Sequence, residues 1–344
     1  MRDVAERAGV APATVSNVLS GRRAVRPELQ ARVIAAIEET GYRPNQLASS
    51  LRRARSQTIG VMLPDLTNPF FAALVHRLED RAAEDGYEII LVGSHENEER
   101  ERARLATLLS RQVDGLIIAP TRDEIAALRE NAGRLPPTIL MDRGAGDPSF
   151  DSVSADNAEA ARQGCRHLID LGHRDIAFIV TSSTLHNMQE RIAGYEAALA
   201  EAGLASRARI LAGGFDIDAC RACIEQELLR ADRPSAIFAA NYVATLGAMK
   251  AIRAIGLDVP GEVSLLAFDD TDWMTVLRPY LSAIAQPVAE MADAAWRLLC
   301  ARLAEPRAVA RDHLSLPCTL TARESTQRPR VRSGQEPLLA TASR

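Results

Sequence analysis

Asp3-Val4-Ala5-Glu6-Arg7-Ala8-Gly9-Val10-Ala11-Pro12-Ala13-Thr14-Val15-Ser16-Asn17-Val18-Leu19 reads as two short helices around a turn. Ala5 is small enough for close helix crossing. Gly9 suits the left-handed stop of the first helix, and Pro12 fits the first turn of the second, where its missing N–H costs nothing. Val10, Val15 and Val18 supply a packed face. Thr14, Ser16 and Asn17 then point outward as short polar groups able to reach base edges or phosphates. A third helix is expected over 27–40, where Leu29, Val33, Ala36 and Ile37 recur at helical spacing before Gly41. The spacing fits a helix-turn-helix, but it also fits a small helical domain with a solvated face. Charge separates these readings. The whole chain carries -4, yet residues 1–58 hold ten Arg against five acids, and the remainder sums to -9. A basic head on an acidic body points to a polyanionic partner for the head alone.

Residues 44–56 are polar, basic and too short to hold a helix unaided, so they read as a linker that is helical only when supported. Beyond residue 56, apolar runs at 58–63, 88–92, 115–119 and 138–141 are followed by a second series at 176–180, 209–212, 236–239, 264–268 and 282–285. Helical stretches separate them, at 69–85, 97–111, 122–132, 156–171, 187–202, 217–230, 243–255 and 288–304. Such alternation predicts parallel sheets with right-handed crossovers. Two groups of strands predict two α/β lobes dividing near 151–156. Ligands of open α/β sheets bind beyond the carboxyl ends of the strands, which directs attention to the residues just past each one. The polar tail past Glu324 is expected to be disordered.

Composition excludes several classes. With 344 residues, 47% hydrophobic and 25% charged, the chain is globular. No run approaches the roughly 20 apolar residues of a membrane span, and the start leads into an amphipathic pattern rather than a signal core. A soluble, cytoplasmic protein is expected. Lys250 is the sole lysine, which nearly excludes lysine chemistry and a phosphate loop. Cys220-x-x-Cys223 has neither a second pair nor a nearby His, so Cys165, Cys220, Cys223, Cys300 and Cys318 read as plain thiols. No G-x-G-x-x-G follows a strand, and the six histidines form no metal-spaced pair or nucleophile–base motif. The expectation is a protein that is not an enzyme and carries no metal or cofactor.

The motifs Asp3-Val4-Ala5, Ala8-Gly9-Val10, Thr14-Val15-Ser16, Gly41-Tyr42-x-Pro44-Asn45 and Leu47-Ala48-x-x-Leu51 resemble the lactose-repressor (LacI/GalR) family of bacterial transcription regulators. The likeness continues through Asn68-Pro69-Phe70-Phe71, Arg191-x-x-Gly194-Tyr195, Phe268-Asp269-Asp270, Gln286-Pro287 and Arg323-Glu324-Ser325-Thr326, covering about residues 1–326. The resemblance implies an all-α helix-turn-helix head (1–43) and a hinge helix (44–56). A two-lobe α/β periplasmic-binding-protein-like domain with parallel sheets follows over 57–326, with lobes of about 57–155 and 156–286 crossing back near the C-terminus, and then a loose tail over 327–344. It places Pro12, Ala13 and Asn17 at base-reading positions, with Thr14 and Ser16 holding phosphates. Two of the three base readers are apolar, able to meet a thymine methyl but not to donate a hydrogen bond. The family pattern also includes a helix-capping residue before Asp3, which this first helix lacks.

For the linker, the resemblance implies a helix on DNA that includes Asn45, with Leu51 wedged into the minor groove and Arg52 on phosphate. In the body it implies an effector cleft. Arg191 matches the family's most diagnostic effector residue, and Phe215, Asn241 and Gln286 match pocket positions. Phe70, Asp142, Asn187 and Asp269 sit at strand ends or helix starts facing the same cleft. Trp273 either lines it or packs between lobes. The expected protein is a homodimeric repressor that binds operator DNA and is controlled by a small molecule, a sugar or sugar acid. The alternatives are a sugar-binding transport protein and a purine-responsive regulator of the same fold.

Overall fold

The computed structural model describes residues 1–20, 24–42, 56–123, 125–144, 147–305 and 310–330. They fall into two compact units, Met1–Ser56 and Gln57–Arg344. The expected hinge residues Asn45, Leu51 and Arg52 lie outside the described residues, as do 331–344 of the expected tail.

In the first unit, helices α1 (Arg2–Ala8), α2 (Pro12–Ser20) and α3 (Pro27–Thr40) enclose Val4, Ala5, Ala8, Val15, Val33 and Ala36. Val10, Val18 and Ile37 pack against that core. Gly9 takes φ 59°, the left-handed conformation that ends α1 and lets the chain turn into α2. Met1 stands at the N-cap of α1 and provides no side-chain cap. Arg7 pairs with Glu39, and Arg32 donates to the carbonyls of Ala8 and Gly9, where the negative end of the α1 dipole favours a cation.

The second unit contains two sheets of one plan. The first runs β11-β5-β4-β3-β1-β2 and the second β12-β10-β9-β8-β6-β7. In the first, β1 (Thr58–Leu63), β2 (Glu88–Gly93), β3 (Gly115–Ile118), β4 (Thr138–Met141), β5 (Asp151–Ala155) and β11 (His313–Leu316) all pair in parallel. In the second, β6 (Ile176–Val180), β7 (Arg209–Ala212), β8 (Ala236–Ala239), β9 (Ser264–Phe268) and β10 (Ser282–Ala285) are parallel, and β12 (Thr319–Thr321) closes the edge antiparallel. Helices α4 (Pro69–Glu84) and α11 (Val288–Ala304) cover one face of the first sheet, while α5 (Glu98–Ser110) and α6 (Ala126–Glu130) cover the other. The second sheet lies between α7 (Asn157–Asp170) with α8 (His186–Glu201) and α9 (Ile217–Leu228) with α10 (Tyr242–Ile255). The chain passes between lobes after β5, after β10 and after β11.

Three differences from the sequence reading have physical causes. The segment Asp151-Ser152-Val153-Ser154-Ala155 is a fully buried strand, although its polar residues read as a divide. Asp151 is satisfied there by Nε and one guanidinium arm of Arg302 (2.7 and 2.6 Å) and by the Asp312 N–H (2.9 Å). The helix expected over 122–132 shortens to α6, leaving Thr121–Asp123 as a turn at the end of β3. Gln327, expected in the tail, instead bonds Ser264 through both backbone groups, at 3.1 and 3.2 Å.

Candidate functional site

The outward face of the head is carried by α2. Pro12 and Ala13 are exposed, while Thr14, Ser16 and Asn17 are half-buried around the buried Val15. The helix-turn-helix thus offers these five side chains on a helix whose opposite face is anchored.

In the body, Asp142 and Asp269 occupy equivalent places, one residue past β4 and one past β9. Each is 6% exposed and adopts a left-handed φ, 63° and 71°. The Asp142 N–H donates to the Val153 carbonyl and the Asp269 N–H to that of Ile284, both at 2.9 Å, which fixes the turn at each strand end. Asp269 accepts from Gln286 Nε2 at 2.6 Å and from the Tyr242 N–H at 3.2 Å. Asp142 accepts from Asn187 Nδ2 at 3.1 Å, joining the first lobe to the second. Burial pushes both carboxyls above the ordinary carboxylate range; Arg143 and Arg191 offset part of that on Asp142, and Arg191 on Asp269.

Arg191 is the largest of the fully buried side chains among the described residues. Its guanidinium lies over the Phe268 ring at 3.6 Å, donates from Nε to Asn157 Oδ1 at 2.8 Å, and donates from an arm to the Ala240 carbonyl at 2.5 Å. The Arg191-x-x-Gly194-Tyr195 motif acquires a mechanical reason. A Cβ on Gly194 would stand 2.0 Å from the Ala158 carbonyl, so glycine lets α8 press on α7. Tyr195 donates to the Ile176 carbonyl at 2.7 Å and accepts from the Arg209 N–H at 3.0 Å, tying α8 to its sheet.

The remaining expected residues are placed as follows. Asn241 caps α10 by accepting from the Ala244 N–H at 2.9 Å, and its amide donates to Thr181 at 3.2 Å. Phe215 is half-buried beneath Arg122 of the other lobe, 5.7 Å from its ring centre. Phe70 packs edge-on against Phe71 at 5.0 Å and belongs to the first-lobe core. Sequence reasoning missed Arg143, whose two arms grip Glu96 at 2.8 Å each, and Asn157, which orients Arg191. Arg143 follows Asp142 directly, so the strand-end rule already reached it.

Six buried side-chain polar atoms among the described residues have no hydrogen-bond partner. Five of them, Arg143 Nε, Asn187 Oδ1, Thr271 Oγ1, Trp273 Nε1 and Gln286 Oε1, lie on loops and helix starts at strand carboxyl ends; the sixth is Arg221 Nε. An unpaired buried polar atom costs roughly 1–3 kcal/mol.

A helix-turn-helix unit joined to a two-lobe, periplasmic-binding-protein-like body is the build of a DNA-binding transcription regulator. The model for bacterial regulatory proteins of the lacI family matches residues 1–45, and that for the periplasmic binding protein-like domain matches 165–326. The chain is 34% identical to catabolite control protein A of Priestia megaterium, covering 94% of this chain and 98% of that protein. The chain belongs to the lacI family. Among solved structures it is similar to the lac repressor dimer bound to operator and the anti-inducer ONPF, with TM-score 0.84, 29% identity and coverage of 94% and 98% of the two chains. A ribose-bound family regulator from Enterococcus faecium is also similar, with TM-score 0.71, 29% identity and coverage of 79% and 100%. No helix of the described residues is long and apolar enough to cross a membrane.

Proposed function

We propose that this regulator is a homodimeric repressor whose cleft binds an uncharged, hydroxyl-rich effector, a sugar rather than a sugar acid or purine. The observation that carries this reading is a set of five unpartnered atoms at strand carboxyl ends, three of them on side chains that contact the two buried carboxyls, Asn187 and Arg143 beside Asp142 and Gln286 beside Asp269. Asn187 Oδ1 and Gln286 Oε1 need donors, while Trp273 Nε1 and Arg143 Nε need acceptors. A hydroxyl does both. The charge balance agrees. Asp142, Asp269 and Glu96 stand against Arg191 and Arg143, and Glu96 already occupies Arg143. An anionic ligand would add to an existing negative excess. The Enterococcus relative holds ribose, which is consistent with a polyol in this fold.

The effector acts by binding one lobe arrangement better than the other, shifting operator affinity by linkage. The lac repressor neighbour is a dimer on operator. Exposed apolar side chains that a second copy could cover are Leu66, Leu91, Val276 and Leu277, 39%, 40%, 69% and 76% exposed.

A thermal-shift screen of the full-length chain tests the cleft. A neutral pentose or hexose at about 100 times its Kd stabilises by about 2.7 kcal/mol, and the matching sugar acid or a purine does not. Stabilisation by an acid or a purine in place of the neutral sugar overturns the reading. For the head and hinge, Leu51→Ala is expected to weaken specific operator binding while leaving effector binding intact, as measured by fluorescence anisotropy. Unchanged operator affinity removes the hinge assignment.

A further inference from the structure

We propose that Asp123 is the latch of the cleft, a positioning residue that caps α8 from the opposite lobe and so holds Asn187 and Arg191 in register with Asp142. This rests on the reading of the cleft as an effector site. Helix α8 has no side-chain cap of its own. Its N-cap position is Leu185, 1% exposed and committed to the second-lobe core. The hydroxyls just upstream satisfy each other, Ser182 with Thr184 at 2.9 Å, and Ser182 also accepts the Thr184 N–H at 3.1 Å. The acceptor for the first amide of α8 comes instead from the first lobe, where His186 N–H donates to Asp123 Oδ2 at 2.5 Å.

The other oxygen of the same carboxylate accepts the Gly144 N–H at 3.0 Å. Gly144 sits at φ 69° in the turn that carries Asp142 and Arg143. One side chain therefore ties the turn beside Asp142 to the helix that bears Asn187 and Arg191. Asn187 donates across the cleft to Asp142 directly beside it. A carboxylate at a helix N-terminus is also favoured by the macrodipole. Separating the lobes by a few ångströms breaks the bond to His186 and leaves the bond to Gly144 intact. Closing the cleft and capping α8 are then one event.

His186 offers a clean way to remove the bond. Proline is tolerated at the first helical position, where no intrahelical bond is lost. Leu185 already has φ -70° and ψ 134°, as a residue before proline requires. Both His186→Pro and His186→Ala lose the imidazole and its 3.3 Å contact with Glu190, so compared with His186→Ala, His186→Pro deletes only the donor.

The test is hydrogen exchange by mass spectrometry on the full-length chain with no ligand added. Asp123→Ala and His186→Pro are expected to speed exchange about tenfold in α8's first turn. Both should also speed it at cleft loops that do not touch Asp123, around Thr271–Trp273 and His95–Asn97. His186→Pro is expected to exceed His186→Ala in both places, and the β6 core segment to stay protected throughout. If faster exchange is confined to α8's first turn and Gly144, Asp123 is a local cap and the latch is overturned. If Asp123→Ala does not fold, the comparison of His186→Pro with His186→Ala decides alone. No effector is needed, so a failed latch is distinguishable from a failed effector assignment.

Discussion

In the first lobe Asp142 is followed by Arg143, which grips Glu96; in the second Asp269 is followed by Asp270, which is gripped by Arg323 at 2.9 and 2.5 Å. The strand orders are the same, the two carboxylates stand at equivalent turns, and each has a paired neighbour of opposite polarity. Asp142 also feels Arg143, 3.9 Å away, whereas Asp269 has Arg191 as the cation that acts on it; Arg191, which only the second lobe provides, acts on both. A symmetric scaffold thus carries an asymmetric site. The second lobe supplies Arg191, Asn187, Asn241 and Gln286, and the first supplies Asp142 and the Asp123 carboxylate.

Removing Arg191 strikes that asymmetry hardest. Arg191→Ala removes a cation that acts on both buried carboxyls and strips partners from Asn157 and Ala240. It is expected to cost about 3–5 kcal/mol in urea denaturation and to abolish the effector's thermal shift while the head stays folded. A retained dose response with unchanged stability would break the comparison.

Neutralising the carboxylates one at a time sharpens it. Asp142→Asn and Asp269→Asn are each expected to change the pH dependence of ligand-free stability, because burial raises both carboxyls above the ordinary carboxylate range. The sign follows from linkage. Both carboxyls titrate above their unfolded value, so the folded protein holds protons the unfolded chain has released, and stability falls as pH rises from about 4 through the raised values. Each substitution should flatten part of that fall in melts between pH 4 and 8. If only one does so, the two lobes are electrostatically unequal at this position.

The smallest effect concerns the second lobe alone. His173 contacts Ser235 at 2.8 Å, Ser264 at 3.1 Å and the Gln327 carbonyl at 2.9 Å, and burial holds its pKa below the usual value. Its stabilisation is present above about pH 6.5 and is lost as pH falls toward the depressed value. Burial lowers His167 as well, so His173→Gln is expected to remove part of the acid-side slope and less than about 1 kcal/mol overall. Acid melts with an unaltered slope below pH 6.5 would show that the anchor does not titrate.

What could be read from the sequence was what is local. The helix-turn-helix rests on spacing within 17 residues, and Asp142, Asp269 and Asn241 follow from the rule that α/β sites sit past strand ends. Strand β5 escaped because Asp151 and Ser152 read as exposed until Arg302 and His313, more than 150 residues away, satisfy them. Asp123 escaped because apolar periodicity extended α6 through it. Its importance comes from His186, a partner 63 residues on that no local pattern links to it.

The two closing strands come from one short passage of chain. Strand β11 ends at Leu316 and β12 begins at Thr319, with Cys318 packed against the cores of both lobes. The order of synthesis therefore matters. The head's core is complete by Tyr42, whereas neither sheet gains its last edge until residue 321. At about 5–20 residues per second, a nascent chain spends roughly 15–55 s with a finished reader and an unfinished sensor. A stop codon ahead of His313 would make that interval permanent, taking one strand from each lobe and leaving the DNA-reading unit untouched.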